Sequence, residues 1–342
     1  MVEFKRDMKP YFIAEVGQNH NGSIQSALEY VRVFAASGAS AIKFQTRDNK
    51  FLFSDEAYGA PYNSDNAFGE TYGEHREFLE LSKDELIMLK DECKKLSVDF
   101  MSTPFDEPSV DLLMEIGVDL FKVASFDLGN LALIKILIDT GKPIVVSIGG
   151  GHKEYVDETI KFLIDHDANF SILHCVSQYP CPPEKLRLSN IDILNEKYSN
   201  VCIGSSDHFS GILSGPVAYL RGAKVFEKHV TLNRAQKGTD QAFSLEPKGF
   251  SDFIRDIKRV DKMLLNEEPD DLGVEPVFQK LGKSIVAACN IAEGEKLGLK
   301  NLSGKIFSEK GTPVREMYKF LGKTLKSEKK MGEKINFSDL NS

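Results

Sequence analysis

Residues 201–232 read VCIGSSDHFSGILSGPVAYLRGAKVFEKHVTL. Two apolar runs, each short enough for a buried strand, flank a helical stretch, ILSGPVAYLR. The first run closes on His208, the second on Lys228 and His229. Strand, crossover helix and strand make a βαβ unit, and parallel α/β architectures bind ligands at the carboxyl ends of their strands. Two neighbouring strands thus aim two imidazoles at one place, a pattern suited to a divalent metal. The plainer reading is two unrelated polar residues that close two strands.

The same rhythm runs through most of the chain. Apolar runs lie at 11–17, 41–46, 99–104, 120–125, 143–149, 170–176, 201–207 and 224–232, with amphipathic segments such as KDELIMLKDECKKLS between them. Most lack strict alternation, as expected of parallel strands covered on both faces. Eight strand–helix repeats over residues 1–265 predict a (β/α)8 TIM barrel. A doubly wound open sheet is the alternative, but no GxGxxG follows the first strand. Residues 47–80, rich in Gly, Asn, Asp and aromatics, form one connection too long for a plain turn, and such loops at a catalytic face cover or bind substrate. An acidic, proline-bearing linker is expected over 266–282 and a small second domain over 283–342. So short a domain has a marginal core of its own and needs a surface to pack on.

Composition narrows the function. A charged content of 27% and a hydrophobic content of 42% describe a globular chain with ample core. The net charge of −8 argues against nucleic acid or an anionic membrane as partner, though not against an anionic small molecule. Five scattered cysteines, with no CxxC, read as reduced buried thiols, and no apolar run suits a signal core or a membrane span; a cytoplasmic location is expected.

The carboxyl ends of the eight strands carry a polar set. It includes Glu15, Lys43, Thr103, Lys122, Ser125, Asp127, Ser147, Tyr179, Ser206, His208 and His229. A lysine inside an apolar strand is costly to bury without an anionic partner. Lys43 and Lys122, with the hydroxyls, therefore suggest an oxyanion site for phosphate or carboxylate; structural ion pairs with Glu15 or Asp127 are the competing account. Metal, oxyanion pocket and carboxylate together point to carbon–carbon bond formation or hydrolysis. A Schiff-base aldolase using Lys122 or Lys43, and an ice- or glycan-binding role for the small domain, are further readings.

Taken in order, IAEVGQNHNG, IKFQT, FKVAS, SQYP, SSDH, EKH and KGTDQAFSLEP resemble the sialic acid synthase family, and LGKSIVAACNIAEGEKL continues the likeness into its antifreeze-like (SAF) domain. The resemblance implies condensation of phosphoenolpyruvate with N-acetylmannosamine or its 6-phosphate, a manganese or magnesium ion, and a homodimer in which one chain's small domain covers the other's barrel. It implies His208 and His229 as metal ligands, and Glu15 and Asp240 as catalytic residues. Lys43, Thr103, Lys122, Ser125, Ser147 and Ser206 would bind phosphoenolpyruvate. Asn66, Asp127, Tyr179 and Lys283 would bind the sugar, with His75, Arg76 and Lys237 as candidates for a 6-phosphate. Ile306, in GKIFSEKGTPVRE, stands where bacterial members carry an arginine that reaches the acyl group. A synthase for a related nonulosonic acid (legionaminic, pseudaminic or deaminated) is the alternative.

Overall fold

A computed structural model of the chain describes residues 2–264 and 273–341. The chain divides into two compact units, Met1–Leu265 and Asn266–Ser342. In the first, eight strands close a parallel barrel in chain order: β1 (Tyr11–Gly17), β2 (Ala41–Thr46), β3 (Asp99–Pro104), β4 (Leu120–Val123), β5 (Ile144–Ser147), β6 (Phe170–Cys175), β7 (Cys202–Asp207) and β8 (Val225–His229). Pairing of β8 with β1 completes the ring, so the expected barrel is the fold and the open sheet is not. Several strands stop earlier than their apolar runs. β8 ends at His229, and β4 at Val123, before a 3-10 turn over Ser125–Asp127. There the backbone leaves the ladder to place side chains over the barrel's end.

The sequence alternation absent at first sight is present as layers. Outward-facing residues such as Phe12, Ala14, Ile42, Phe44, Phe121, Ile172 and Phe226 pack under the helices in one large core. Inward-facing residues Tyr11, Ile13, Ala41, Met101, Leu120, Val145, Leu173, Cys202 and Val225 fill the lower barrel, closed from below by Phe4. Both faces are apolar at this level, which is why the strands read as continuous hydrophobic runs. Two residues further along most strands the inward phase turns polar, as at Glu15, Lys43, Thr103, Lys122, Ser147 and Glu227. Burial of this double core is the dominant favourable term for a fold of this kind.

Interior packing is tight where β7 meets β8. A Cβ on Gly204 would come within 2.3 Å of the Val225 carbonyl oxygen and 2.5 Å of Leu173 Cδ2. The helices are bounded by local chemistry: Ser82 and Glu85 form a capping box for Lys83–Lys95, and Thr71 and Glu74 form one for Tyr72–Leu79. Gly117, at φ 80°, ends helix Glu107–Ile116 in a left-handed conformation that costs other residues more.

The second unit holds an antiparallel pair, β9 (Ser284–Ala287) and β10 (Leu302–Lys305), on a core that includes Ile285, Ile291, Leu297, Phe320, Leu325 and Ile335. Of the expected linker, residues 266–272 lie outside the described residues, and Pro276–Leu281 is a short helix.

Two outcomes test this packing. Gly204→Ala should destabilise the barrel by about 1–3 kcal/mol through overpacking, read as a lower urea midpoint. His20 is buried, its Nδ1 accepts the Gly22 N–H, and burial lowers its pKa to about 4 from 6.5. An imidazolium could not accept that bond. The unfolded chain therefore binds the proton first, and stability held above pH 6.5 is lost as pH falls toward 4. His20→Gln should flatten the loss by up to about 1.4 kcal/mol per pH unit between these limits, measured by denaturation at a series of pH values.

Candidate active site

The polar layer of the barrel interior lines a cavity of about 480 Å³ at the carboxyl ends of the strands. Register explains who meets whom: β1 pairs Glu15 with Lys43 on one side and with His229 on the other, while β7 and β8 pair Ser206 with Glu227. Lys43 Nζ lies 2.7 Å from Glu15 Oε2 and 3.6 Å from Glu227 Oε2. It also donates to Thr103 Oγ1 at 3.3 Å. Lys122 Nζ donates to the Val123 carbonyl at 2.9 Å, and Ser206 Oγ to Glu227 Oε1 at 2.9 Å. Gln45 Nε2 donates to Glu15 Oε1 at 2.9 Å.

All of these charges are buried, and their ionisation follows from their pairing. Burial alone raises a carboxyl pKa, but Lys43, Lys122 and the Ser206 hydroxyl outweigh it and hold Glu227 down at about 2. Burial opposes the charge on Lys43 too, yet Glu15 and Glu227 more than offset it, so its pKa is raised. Lys122 is different: burial prevails and lowers it, despite attraction from Glu227. One ammonium is thus locked into a carboxylate pair, and the other lacks a comparably close anion.

At the ends of β7 and β8, His208 and His229 stand with ring centroids 5.4 Å apart. His208 Nδ1 is bonded to the Val176 carbonyl at 2.9 Å, which makes Nδ1 the protonated nitrogen and leaves Nε2 its lone pair. Burial, then the His229 ring, lower the His208 pKa to about 4, so the imidazole is neutral as a ligand must be. His229 Nδ1 is buried with no hydrogen-bond partner and lies 3.8 Å from Asp240 Oδ2. Two imidazole donors beside a carboxylate fit a divalent ion that draws its remaining oxygens from water or substrate. Among the described residues, no group of three or more His, Cys, Asp or Glu converges as a complete ligand shell.

The cavity gathers Glu15, Lys43, Arg76, Thr103, Lys122, Ser125, Ser147, Tyr179, Ser206, His208, His229 and Asp240 from the sequence-derived set. Tyr179 sits over His208 with centroids 3.8 Å apart. Five other residues of that set lie elsewhere, among them Lys237, whose ammonium is bonded to the Ala67 carbonyl. Asn66 Oδ1 accepts the Gly238 N–H at 3.0 Å and so ties the long β2–β3 connection to the loop after β8. His75 is buried between Tyr62 and Phe68, its Nδ1 accepting the Phe68 N–H. Asp127 accepts from Asn130 Nδ2 at 3.4 Å, and burial raises its pKa. Lys283 belongs to the second unit and lines a separate cavity there, of about 410 Å³.

Strand-end reading missed Glu227, although it stands in EKH and shares an inward phase with Val225 and His229. Spacing of two from His229 was the available signal. Lys228, which closes the same run, faces the other way and pairs with Asp207 at 2.6 Å. Size does not single out the site either. A groove of about 650 Å³ runs beside helices Lys153–Asp165 and Asn190–Lys197, but its walls are mainly apolar and its Lys197 is already paired with Asp157.

The NeuB family model matches residues 30–268. This chain belongs to the NeuB family. The Drosophila melanogaster N-acetylneuraminate-9-phosphate synthase is 34% identical, with 92% of this chain and 91% of that protein covered. The Campylobacter jejuni N,N'-diacetyllegionaminic acid synthase is 33% identical over 92% and 95%. A Leptospira borgpetersenii structure, described as an N-acetylneuraminic acid (sialic acid) synthetase in complex with citrate, aligns at TM-score 0.69 and 31% identity, covering 77% of this chain and 89% of that one. The sequence motifs and these likenesses agree on a sialic acid synthase-type enzyme of this family.

In this NeuB-family barrel, Glu227 is the anion that keeps two ammonium groups in one cavity. Glu227→Ala should cost about 3–5 kcal/mol, because it strands buried positive charge, whereas Ser206→Ala should cost about 1 kcal/mol. Chemical denaturation of the two variants, side by side, measures the contrast.

Proposed function

We propose that the chain condenses phosphoenolpyruvate with N-acetylmannosamine or its 6-phosphate, giving N-acetylneuraminate or its 9-phosphate and inorganic phosphate. The observation that carries this reading is the single cavity that brings together Lys43, Lys122, several hydroxyls, Glu15 and the imidazoles of His208 and His229. Phosphoenolpyruvate is a small trianion at most, and such a wall of ammonium and hydroxyl donors matches its carboxylate and phosphate. Lys43, Lys122, Thr103, Ser125, Ser147 and Ser206 hold it. Its C3 forms the new bond to the sugar's aldehyde carbon, the aldehyde oxygen takes a proton, and water adds at C2. The resulting hemiketal phosphate then loses phosphate and leaves the keto acid.

Glu15 lies beside Lys43 and is placed to manage the proton at the reacting carbons. Asp240 is placed to orient the water. His208 and His229 would hold a manganese or magnesium ion, which when bound supplies Lewis-acid polarisation of the aldehyde. Tyr179 lies over His208, where it can order the sugar's hydroxyls, with Asp127 and Asn66 in flanking segments. The second unit, with Lys283, is assigned to the antifreeze-like class and to covering the barrel of a second copy in a homodimer.

A related nonulosonic acid is a second product class, favoured by the legionaminic acid synthase likeness and by Ile306 in place of an arginine. Coupled phosphate release with a panel of hexosamines decides between them. The expected outcome is release that needs both phosphoenolpyruvate and a mannosamine-type sugar and stops with chelator. His208→Ala should lose activity more than about 100-fold together with bound metal, read by elemental analysis. Glu15→Gln should retain phosphoenolpyruvate binding and lose turnover by about 100-fold or more. Full activity in His208→Ala sinks the metal part, and no release with any sugar sinks the reaction.

A further inference from the structure

Asp207 and Lys228 form a buried ion pair that the condensation described above does not use. They are register partners on β7 and β8, one step beyond Ser206 and Glu227. Side chains alternate along a strand, so this pair points to the outer side of the barrel, and neither residue lines the cavity. Lys228 is 2% exposed and Asp207 6%. Asp207 is the one anionic partner of Lys228 among the described residues, at 2.6 Å.

Stability accounts poorly for such a pair. The cost of taking both charges out of water can exceed what their attraction returns, and apolar side chains of similar size are often as good or better in the same place. Nearby outward positions on the same two strands, Ile203 and Phe226, are indeed apolar and pack under the helices. An ion pair here calls for a different account, and its hydrogen bonds supply one.

What the pair holds is the backbone beside His208. β7 ends at Asp207, so His208 is the first residue beyond that strand, whereas His229 is still in register with Glu15 on β1. Lys228 Nζ donates to Asp207 Oδ1 and to the Phe209 carbonyl, each at 2.6 Å. Asp207 Oδ1 also accepts the Phe209 N–H at 3.0 Å. Both backbone groups of Phe209 are thus gripped, one by each member of the pair. The residues before and after His208 are thereby tied to β8 at the position directly preceding His229. Two further bonds reach His208 from the segment after β6: its carbonyl accepts the Cys181 N–H at 3.0 Å, and its Nδ1 is bonded to the Val176 carbonyl at 2.9 Å. Those bonds orient the ring relative to β6. The ion pair fixes the same residue relative to the strand that carries the second imidazole.

Two imidazoles bind one ion only if their nitrogens converge on a common point, and groups behind the ligands set that convergence. We propose that Asp207 and Lys228 are positioning residues, which from the outer side of the barrel hold His208 at the separation from His229 that a divalent ion requires. Neither touches the ion. This rests on the metal reading proposed above.

The test is titration of the full chain with manganese alone, the free ion being counted by its electron paramagnetic resonance signal. The wild-type chain should bind one ion. In the double variant Asp207→Leu with Lys228→Met both charges leave together, so neither is stranded, and the urea midpoint should stay near that of wild type. Its dissociation constant for manganese should nevertheless rise about 10-fold or more. Lys90→Met is the control. It breaks a comparable pair with Asp119, whose carboxylate accepts the Phe100 N–H at the amino end of the barrel strands, and it should leave manganese affinity unchanged. If leucine at 207 unsettles the fold, Asp207→Asn with Lys228→Met repeats the test, since the amide can still accept the Phe209 N–H; the expected loss is then about threefold or more. Unchanged manganese affinity in a folded double variant overturns the inference. An equal loss in Lys90→Met overturns it as well, by making the effect one of general stability. Failure of the metal reading shows separately, as a wild-type chain that binds no manganese, and removes both.

Discussion

The ion cluster of Lys43, Glu15 and Glu227 is the constraint around which the catalytic end of the barrel is built. Three charges sit almost wholly out of water, with Lys43 Nζ 2.7 Å from one carboxylate and 3.6 Å from the other. Removing such groups from water costs several kcal/mol each, and close pairing repays that only when the geometry is held. The barrel provides the rigidity. Lys43, Glu15 and His229 are register partners across β2, β1 and β8, so closing the ring fixes their spacing. A doubly wound sheet would leave β1 and β8 apart and separate Glu15 from His229.

This arrangement also divides labour between two lysines of similar sequence setting. Lys43 is locked by carboxylates and stays charged, while Lys122 is held chiefly by a backbone carbonyl and has its pKa lowered by burial. An anion entering the cavity would complete the shell of Lys122. The site is thus preorganised on one side and electrostatically incomplete on the other, a state that favours binding of a compact anion without rearrangement.

The lower barrel and the outer shell answer to a different requirement. There, inward residues such as Met101, Leu120 and Val145 and outward residues such as Phe100, Phe121 and Ile144 are all apolar. They stabilise the fold and carry no chemistry. The change from apolar to polar happens within two residues in most strands, from Ile13 to Glu15, Ala41 to Lys43 and Leu120 to Lys122. A stable core and a reactive cavity therefore share the same eight strands.

Much of this was legible in the chain. Eight apolar runs with amphipathic segments between them pointed to parallel strands buried on both faces, and the absence of GxGxxG after the first strand favoured a barrel over an open sheet. The paired histidines, the two in-strand lysines and the Glu15 and Ser206 positions followed from reading strand ends. The motif order determined the family. What the sequence by itself could not decide was which way each strand-end residue faces. Glu227 and Lys228 are neighbours in EKH, yet one holds the cavity's lysines and the other pairs with Asp207 on the outer side. Nor could it decide which residues of the long connection reach inward: His75 is consumed by its own aromatic cluster, whereas Arg47 and Arg76 line the cavity. Side-chain direction depends on strand phase and on hydrogen bonds between segments distant in the chain, and only the closed tertiary structure sets both.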